Sequence, residues 1–140
     1  MAYTPTSVFG GPGGDQFSED LTQTCRLAKI IVRHGDMIDA ITSVWITSTG
    51  LTQQGPRHGG AGGEETAIDL APDEYITRIE GRSGSQVDSL SFFTNKGEKF
   101  GPFGGDGGAP FVVDHVKVGG FFGRSGDMVD QLGFFVAADC

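Results

Sequence analysis

A Gly-Gly-x-Gly-Gly pentapeptide occurs three times in this chain, at residues 10–14, 59–63 and 104–108. Each copy is followed by a Gly-x-x-x-Asp segment, at residues 35–39, 84–88 and 126–130, after offsets of 25, 25 and 22 residues. Shuffling a chain of this glycine content would yield only about 0.1 copies of the pentapeptide. The Gly-x-x-x-Asp pattern alone is weak, because about two matches arise by chance. Five occur, and two of them, at 11–15 and 123–127, are out of phase. Three glycine loops in phase are a strong signal, and an internal repeat fixes architecture before any local propensity does.

The repeat units span 10–58, 59–103 and 104–140, and the last is short by about the length of residues 1–9. Adding those nine residues to the third unit restores its length, so the repeat closes on itself as a ring. This closure predicts that the two ends of the chain lie together and that the first and last strands pair in one sheet. Other positions keep the same phase. Arg33, Arg82 and Arg124 precede the motif glycine by two residues, and Ile41, Leu90 and Leu132 follow the motif aspartate by two. Phe9, His58 and Phe103 each stand directly before a glycine loop.

Residues 1–140 are read as one all-β domain with a single core. Segments 27–32, 38–47, 75–79, 87–94, 111–118 and 129–137 are short, rich in Val, Ile, Thr and Phe, and bounded by Gly, Pro, Asp or Asn. No stretch combines caps with a sustained 3.6-residue apolar stripe, so helix is not expected. The 129–137 strand is apolar on both faces, which leaves one face for the core and one for a neighbour, including a second copy in a homo-oligomer.

A net charge of −8 and a pI near 4.6 argue against nucleic acid and anionic membrane as partners. No apolar run reaches the roughly 18 residues needed for membrane insertion as a helix. The first residues lack the basic-then-apolar layout of a secretory leader, so the chain is expected in the cytoplasm or released without a signal peptide. Cys25 and Cys140 are too few for a disulfide framework and are read as free thiols. His34, His58 and His115 show no metal-ligand spacing, and neither a metal nor a cofactor is expected.

The chemistry suggested by the repeat is that of a neutral polyol. An ionised carboxylate accepts several hydrogen bonds at once, and a glycine loop brings backbone amides close to a ligand. The pairs Asp36/Asp39 and Asp127/Asp130 also have a spacing that a glycosidase could use. Nothing marks one member of either pair as a buried acid, so no enzymatic activity is expected. The β-branched Ile38, Val87 and Val129 are read as buried anchors of the aspartate loops, with the aspartates facing a solvent-filled cleft. Arg33, Arg82 and Arg124 are expected to fix the loops through backbone carbonyls.

Several segments together resemble the jacalin-related lectins, in particular their mannose-specific, uncleaved type. They are Gly-Gly-Pro-Gly-Gly at 10–14, Val-Arg-His-Gly-Asp-Met-Ile-Asp at 32–39, His-Gly-Gly-Ala-Gly-Gly at 58–63 and Asp-Glu-Tyr-Ile at 73–76. Thr-Asn-Lys at 94–96, Gly-Pro-Phe-Gly at 101–104 and Gly-Phe-Phe-Gly-Arg-Ser-Gly at 120–126 complete the set, which covers nearly the whole chain in order. The resemblance implies a β-prism I fold, with three four-stranded Greek-key sheets about a pseudo-threefold axis. It also implies multivalent binding of mannose- and glucose-containing glycans and glycoproteins, as in an agglutinin, without catalysis.

By position, the resemblance pairs Gly14 with Gly126, Asp127, Met128 and Asp130 in a first site. A second pairs Gly63 with Gly35, Asp36, Met37 and Asp39, and a third pairs Gly108 with Gly84, Ser85, Gln86 and Asp88. The first member of each close aspartate pair is expected to contribute its amide and point outward. Galactose-preferring members of the family are cleaved so that the residue matching Gly14 becomes a free N-terminus. Here Gly14 is internal, which implies mannose or glucose instead. Phe9 stands where many members have Trp. The alternative reading is a protein-interaction or assembly module that keeps the fold without binding sugar.

Overall fold

The computed structural model describes residues 3–137, which form strands joined by turns and no helix. β1 (Tyr3–Pro5), β2 (Phe9–Gly10) and β3 (Asp15–Ser18) come first. β4 (Thr24–His34), β5 (Ile38–Thr47), β6 (Thr52–Gln54), β7 (His58–Gly59) and β8 (Glu64–Asp69) follow. β9 (Ile76–Ser83), β10 (Val87–Thr94), β11 (Lys99–Gly104) and β12 (Ala109–Asp114) lead to β13 (Val118–Ser125) and β14 (Val129–Ala137).

Three antiparallel sheets result. One has the order β8-β4-β5-β6, with β7 also on β5, and another the order β12-β9-β10-β11. In both, a long central hairpin is flanked by its next strand on one side and by a returning strand on the other, which is a Greek key. The remaining sheet runs β3-β13-β14-β1, with β2 also on β14. Its order is the same Greek key if the chain is imagined as circular. The pairing of Tyr3 with Ala137 is therefore the ring closure that the repeat lengths predict. This is the β-prism architecture, and the sheet boundaries fall in the turns after β3, β8 and β12 rather than at the glycine loops that open the sequence repeats.

The inner faces of the three sheets bury one core. Ile30, Val32, Ile38 and Ile41 from one sheet, Ile76, Ile79, Val87, Leu90 and Phe92 from the next, and Phe121, Val129, Leu132 and Phe134 from the last have no solvent exposure. Fully burying each such side chain contributes about 1.5–3 kcal/mol, so the residues flanking the three aspartates are among the most firmly held in the molecule. The expected strands 38–47, 87–94 and 129–137 coincide with β5, β10 and β14. Segment 27–32 lies within the longer β4, and segment 75–79 overlaps the start of β9 from Ile76 onward. Segment 111–118 is not one strand. The Asp114 carboxylate accepts the His115 amide at 2.8 Å, His115 adopts a φ of 57°, and the chain passes to the next sheet.

Polar groups also join the sheets. The Trp45 indole donates to the Gly119 carbonyl at 2.9 Å, linking β5 to β13. Glu19, at 8% exposure, accepts from the Ser43 hydroxyl and the Phe121 amide at 2.9 Å each, and its other oxygen lies 3.2 Å from His58 Nε2. One buried carboxylate thus satisfies groups on two sheets and on the residue that enters the second glycine loop. Cys25 is disulfide-bonded rather than a free thiol. It lines a concavity together with Tyr3 and Ala137. Cys140 lies outside the described residues.

Glu19→Ala should lower stability by about 2–4 kcal/mol in chemical denaturation, because the Phe121 amide and the Ser43 hydroxyl lose their acceptor in the core. Glu80→Ala, which removes a partly exposed partner of Arg78, should change stability by about 0.5 kcal/mol or less.

Candidate functional site: three glycine loops against three bulged aspartates

Each aspartate loop is the turn of a central hairpin, and its aspartate interrupts the ladder. On β14, Val129 pairs with Ser125 and Gln131 with Arg124, which leaves Asp130 unpaired. Asp39 is skipped between Ile38–His34 and Ala40–Arg33, and Asp88 between Val87–Ser83 and Ser89–Arg82. Each aspartate is therefore the extra residue of a β-bulge, a device that re-aims a side chain and twists the strand. The bulge also explains how Ile38 and Ile41, Val87 and Leu90, or Val129 and Leu132 can all face the core although they are three residues apart.

The strand that carries the glycine loop pairs in an identical register at all three places. Gly10 lies opposite Gln131, Gly59 opposite Ala40 and Gly104 opposite Ser89, each the residue after the aspartate. The next glycine amide then donates to the aspartate's own carbonyl: Gly11 to Asp130, Gly60 to Asp39 and Gly105 to Asp88, each at 2.9 Å. The loop folds back over the carboxylate. A Cβ built on Gly14 would stand 2.7 Å from Asp130 Oδ1 and 2.6 Å from the Ser125 carbonyl carbon, and Gly63 and Gly108 meet Asp39 and Asp88 in the same way. All three of these glycines have a φ of 71°, which a residue with a side chain adopts at a cost.

The arginines do what the phase suggests. Arg124 donates through Nε to the Gly13 carbonyl at 3.1 Å and through Nη2 to Gly14 at 2.8 Å. Arg33 holds the carbonyls of Gly62 and Gly63, both at 3.0 Å, and Arg82 those of Gly107 and Gly108 at 3.1 and 2.8 Å. With its carbonyls turned toward the guanidinium, each glycine loop presents its other edge to the aspartate. Gly126, Gly35 and Gly84 close the opposing turns by donating to Met128, Met37 and Gln86 carbonyls at 2.9–3.0 Å. Asp127, Asp36 and Ser85 are exposed, and Met128, Met37 and Gln86 are half-buried.

The aspartates are less open than a solvent-filled cleft would make them. Asp130 is 9% exposed, with Gly13 and Gly14 lying against one side of its carboxylate, and Asp39 and Asp88 are half-buried. In the second site, Asp39 Oδ1 is buried and has no hydrogen-bond partner among the described residues. Leaving a buried acceptor unsatisfied costs about 1–3 kcal/mol, so this oxygen has unused acceptor capacity beside the Gly63 edge.

Sequence reasoning missed how the three loop pairs touch one another. A Cβ on Gly11 would lie 2.3 Å from the Ser85 carbonyl oxygen, one on Gly60 2.2 Å from that of Asp127, and one on Gly105 2.4 Å from that of Asp36. The ring before each loop makes the same step to a neighbouring sheet. Phe9 stacks on Phe111 at 4.1 Å, His58 on Phe17 at 3.9 Å, and Phe103 tilts against His34 at 4.8 Å. Gln86, expected at the third site, sends its amide to Asp130 Oδ2 at 3.4 Å. The only trace of this interlock in the sequence is that the second glycine of each pentapeptide can never carry a side chain.

The carboxylates held below their ordinary range sit at the other end of the molecule. The Thr22 amide and hydroxyl lower Asp20, the Lys96 ammonium lowers Asp73, and the His115 amide lowers Asp114. A concavity of about 380 Å³ at that end is lined by Tyr3, Arg26, Glu74, Tyr75 and Lys117, and none of the glycine- or aspartate-loop residues reaches it. Among the described residues no group of three or more His, Cys, Asp or Glu side chains is placed to hold a metal ion.

The family model of the jacalin-like lectin domain matches residues 6–135. Horcolin from Hordeum vulgare is 33% identical over 95 residues, a segment that spans 64% of this chain and 64% of that relative. A mannose-binding jacalin-related lectin from Ananas comosus superposes with a TM-score of 0.88 at 32% identity, covering 96% of both chains. Malaysian banana lectin gives 0.86 at 32% identity over 97% of this chain and 99% of that one. Artocarpin in complex with mannotriose gives 0.87 at 27% identity over 98% and 99%.

Gly14→Ala should destabilise the protein by about 1–3 kcal/mol, since it combines a left-handed backbone strain with a clash at Ser125 and Asp130. Denaturation measures the loss. Gly50→Ala, whose Cβ would meet nothing within 4 Å although its φ is 85°, should cost only the backbone term.

Proposed function

The chain belongs to the jacalin-like lectin family, and we propose that it is a non-catalytic, carbohydrate-binding lectin for mannose- and glucose-type glycans with up to three sites at one end of the prism. The observation that carries this reading is the repeated arrangement of a bulged aspartate under a side-chain-free glycine edge, with the Asp39 oxygen buried and unpartnered. A hexose offers adjacent hydroxyls, and one carboxylate accepts from two of them. Hydrogen bonds to a charged group contribute about 1.5–3 kcal/mol each, which suits a ligand that must be taken from water.

In the first site the carboxylate of Asp130 takes two hydroxyl protons. The amides of Asp127 and Met128, at the hairpin turn, and of Gly14, across the cleft, donate to sugar oxygens. Asp39 with Gly63 and Asp36–Met37, and Asp88 with Gly108 and Ser85–Gln86, repeat the arrangement. The preference for mannose or glucose over galactose is supported by Gly14 being internal, so that its nitrogen is an amide rather than a charged amine. It is also supported by the mannose-binding character of the pineapple lectin and the mannotriose complex of artocarpin. Weak single sites gain about 10²–10⁴ in avidity when a branched glycan engages several.

Asp130→Asn replaces one acceptor with a donor and removes the charge, at an expected cost of about 2–3 kcal/mol, or roughly 30- to 150-fold, in first-site affinity. Calorimetric titration with methyl α-mannoside beside thermal unfolding is the check. Loss of binding with a melting temperature near wild type supports the assignment, whereas intact binding refutes it. Agglutination of mannose-coated beads should be reversed by free mannose and resisted by the Asp39→Asn/Asp130→Asn double variant. Galactose inhibiting as well as mannose would overturn the specificity.

A further inference from the structure

The three sites are related by rotation, but one contact breaks their equivalence. Gln86 Nε2, on the third aspartate loop, donates to Asp130 Oδ2, in the first site, at 3.4 Å. The backbone sets this up, since the Ser85 carbonyl is packed on Gly11 of the first glycine loop. By the same rotation Met128 occupies the equivalent place beside the second site and Met37 beside the third. A thioether has no hydrogen to donate.

We propose that Gln86 is a positioning residue of the first site, holding the Asp130 carboxylate in its sugar-accepting orientation and making that site tighter than the second. The proposal rests on the lectin reading above. A carboxylate has about four lone-pair directions. Gln86 uses one from the side, Gly13 and Gly14 lie against the carboxylate, and acceptor capacity remains for two hydroxyls. An orientation fixed before binding does not have to be fixed by the ligand. Among the described residues, the charged groups on the elements beside Asp130 include Asp127 in its loop, Asp15 opposite Ser125, and Arg124, which is engaged with Gly13 and Gly14.

The test is a site-resolved NMR titration with methyl α-mannoside, following the Asp127 amide for the first site and the Asp36 amide for the second. Gln86→Met installs the residue type found in the other two copies. It should weaken the first site about three- to tenfold and leave the second unchanged. Gln86→Glu keeps the shape but opposes two carboxylates. It should weaken the first site at pH 7 and recover toward wild type at pH 5, where the pair shares a proton; a role in packing alone would show no such pH profile. Unchanged first-site affinity in both variants, or equal weakening at both sites, overturns the proposal while wild-type binding upholds the lectin reading. No mannoside-dependent shift in the wild type overturns both.

Discussion

The organising interaction is the hydrogen bond from the second glycine of each pentapeptide to the backbone carbonyl of a bulged aspartate. It occurs three times at 2.9 Å, from Gly11, Gly60 and Gly105. Because the aspartate is the extra residue of a bulge, its carbonyl and side chain both leave the sheet. The carbonyl captures the glycine loop, and the carboxylate is left beneath it. Ile38, Val87 and Val129 before the aspartates, and Ile41, Leu90 and Leu132 after them, are wholly buried, so the aspartate can move only if the core does. An arginine then pulls the far carbonyls of the loop outward. Backbone, core and guanidinium together fix a surface with glycine backbone on one wall and one carboxylate on the other.

The three copies are also locked to one another. Each glycine loop rests on the carbonyl of a neighbouring aspartate loop, and the ring before each loop packs against a ring of a neighbouring sheet. Glu19 adds a buried acceptor that joins two sheets and the entry to the second glycine loop through His58. A close-packed end of this kind suits recognition by fixed donors and acceptors, because little ordering is left to occur on binding.

Much of this was legible in the sequence because it depends on residues for which no substitute exists. Gly14, Gly63 and Gly108 hold a left-handed backbone against a carboxylate. Arg33, Arg82 and Arg124 keep phase because each reaches the same pair of carbonyls. The ring closure followed from segment lengths alone. What stayed hidden depends on long-range geometry. The bulges at Asp39, Asp88 and Asp130 are invisible in a strand pattern that simply reads apolar, and the Gln86–Asp130 contact joins residues 44 apart. Glu19 looks like a surface acid until its three donors arrive from β5, β7 and β13. The break at His115 has no Gly or Pro to announce it, and nothing in the sequence beside Cys25 announces that it is disulfide-bonded.

A crystal structure grown with methyl α-mannoside tests the central claim most directly. The expected result is sugar seated between the Asp130 carboxylate and the Gly14 edge, and again between Asp39 and Gly63, with hydroxyl oxygens at hydrogen-bond distance of about 2.5–2.7 Å from the carboxylates. Sugar bound only in the concavity between Tyr3 and Tyr75, or bound with Asp39 and Asp130 untouched, would contradict it.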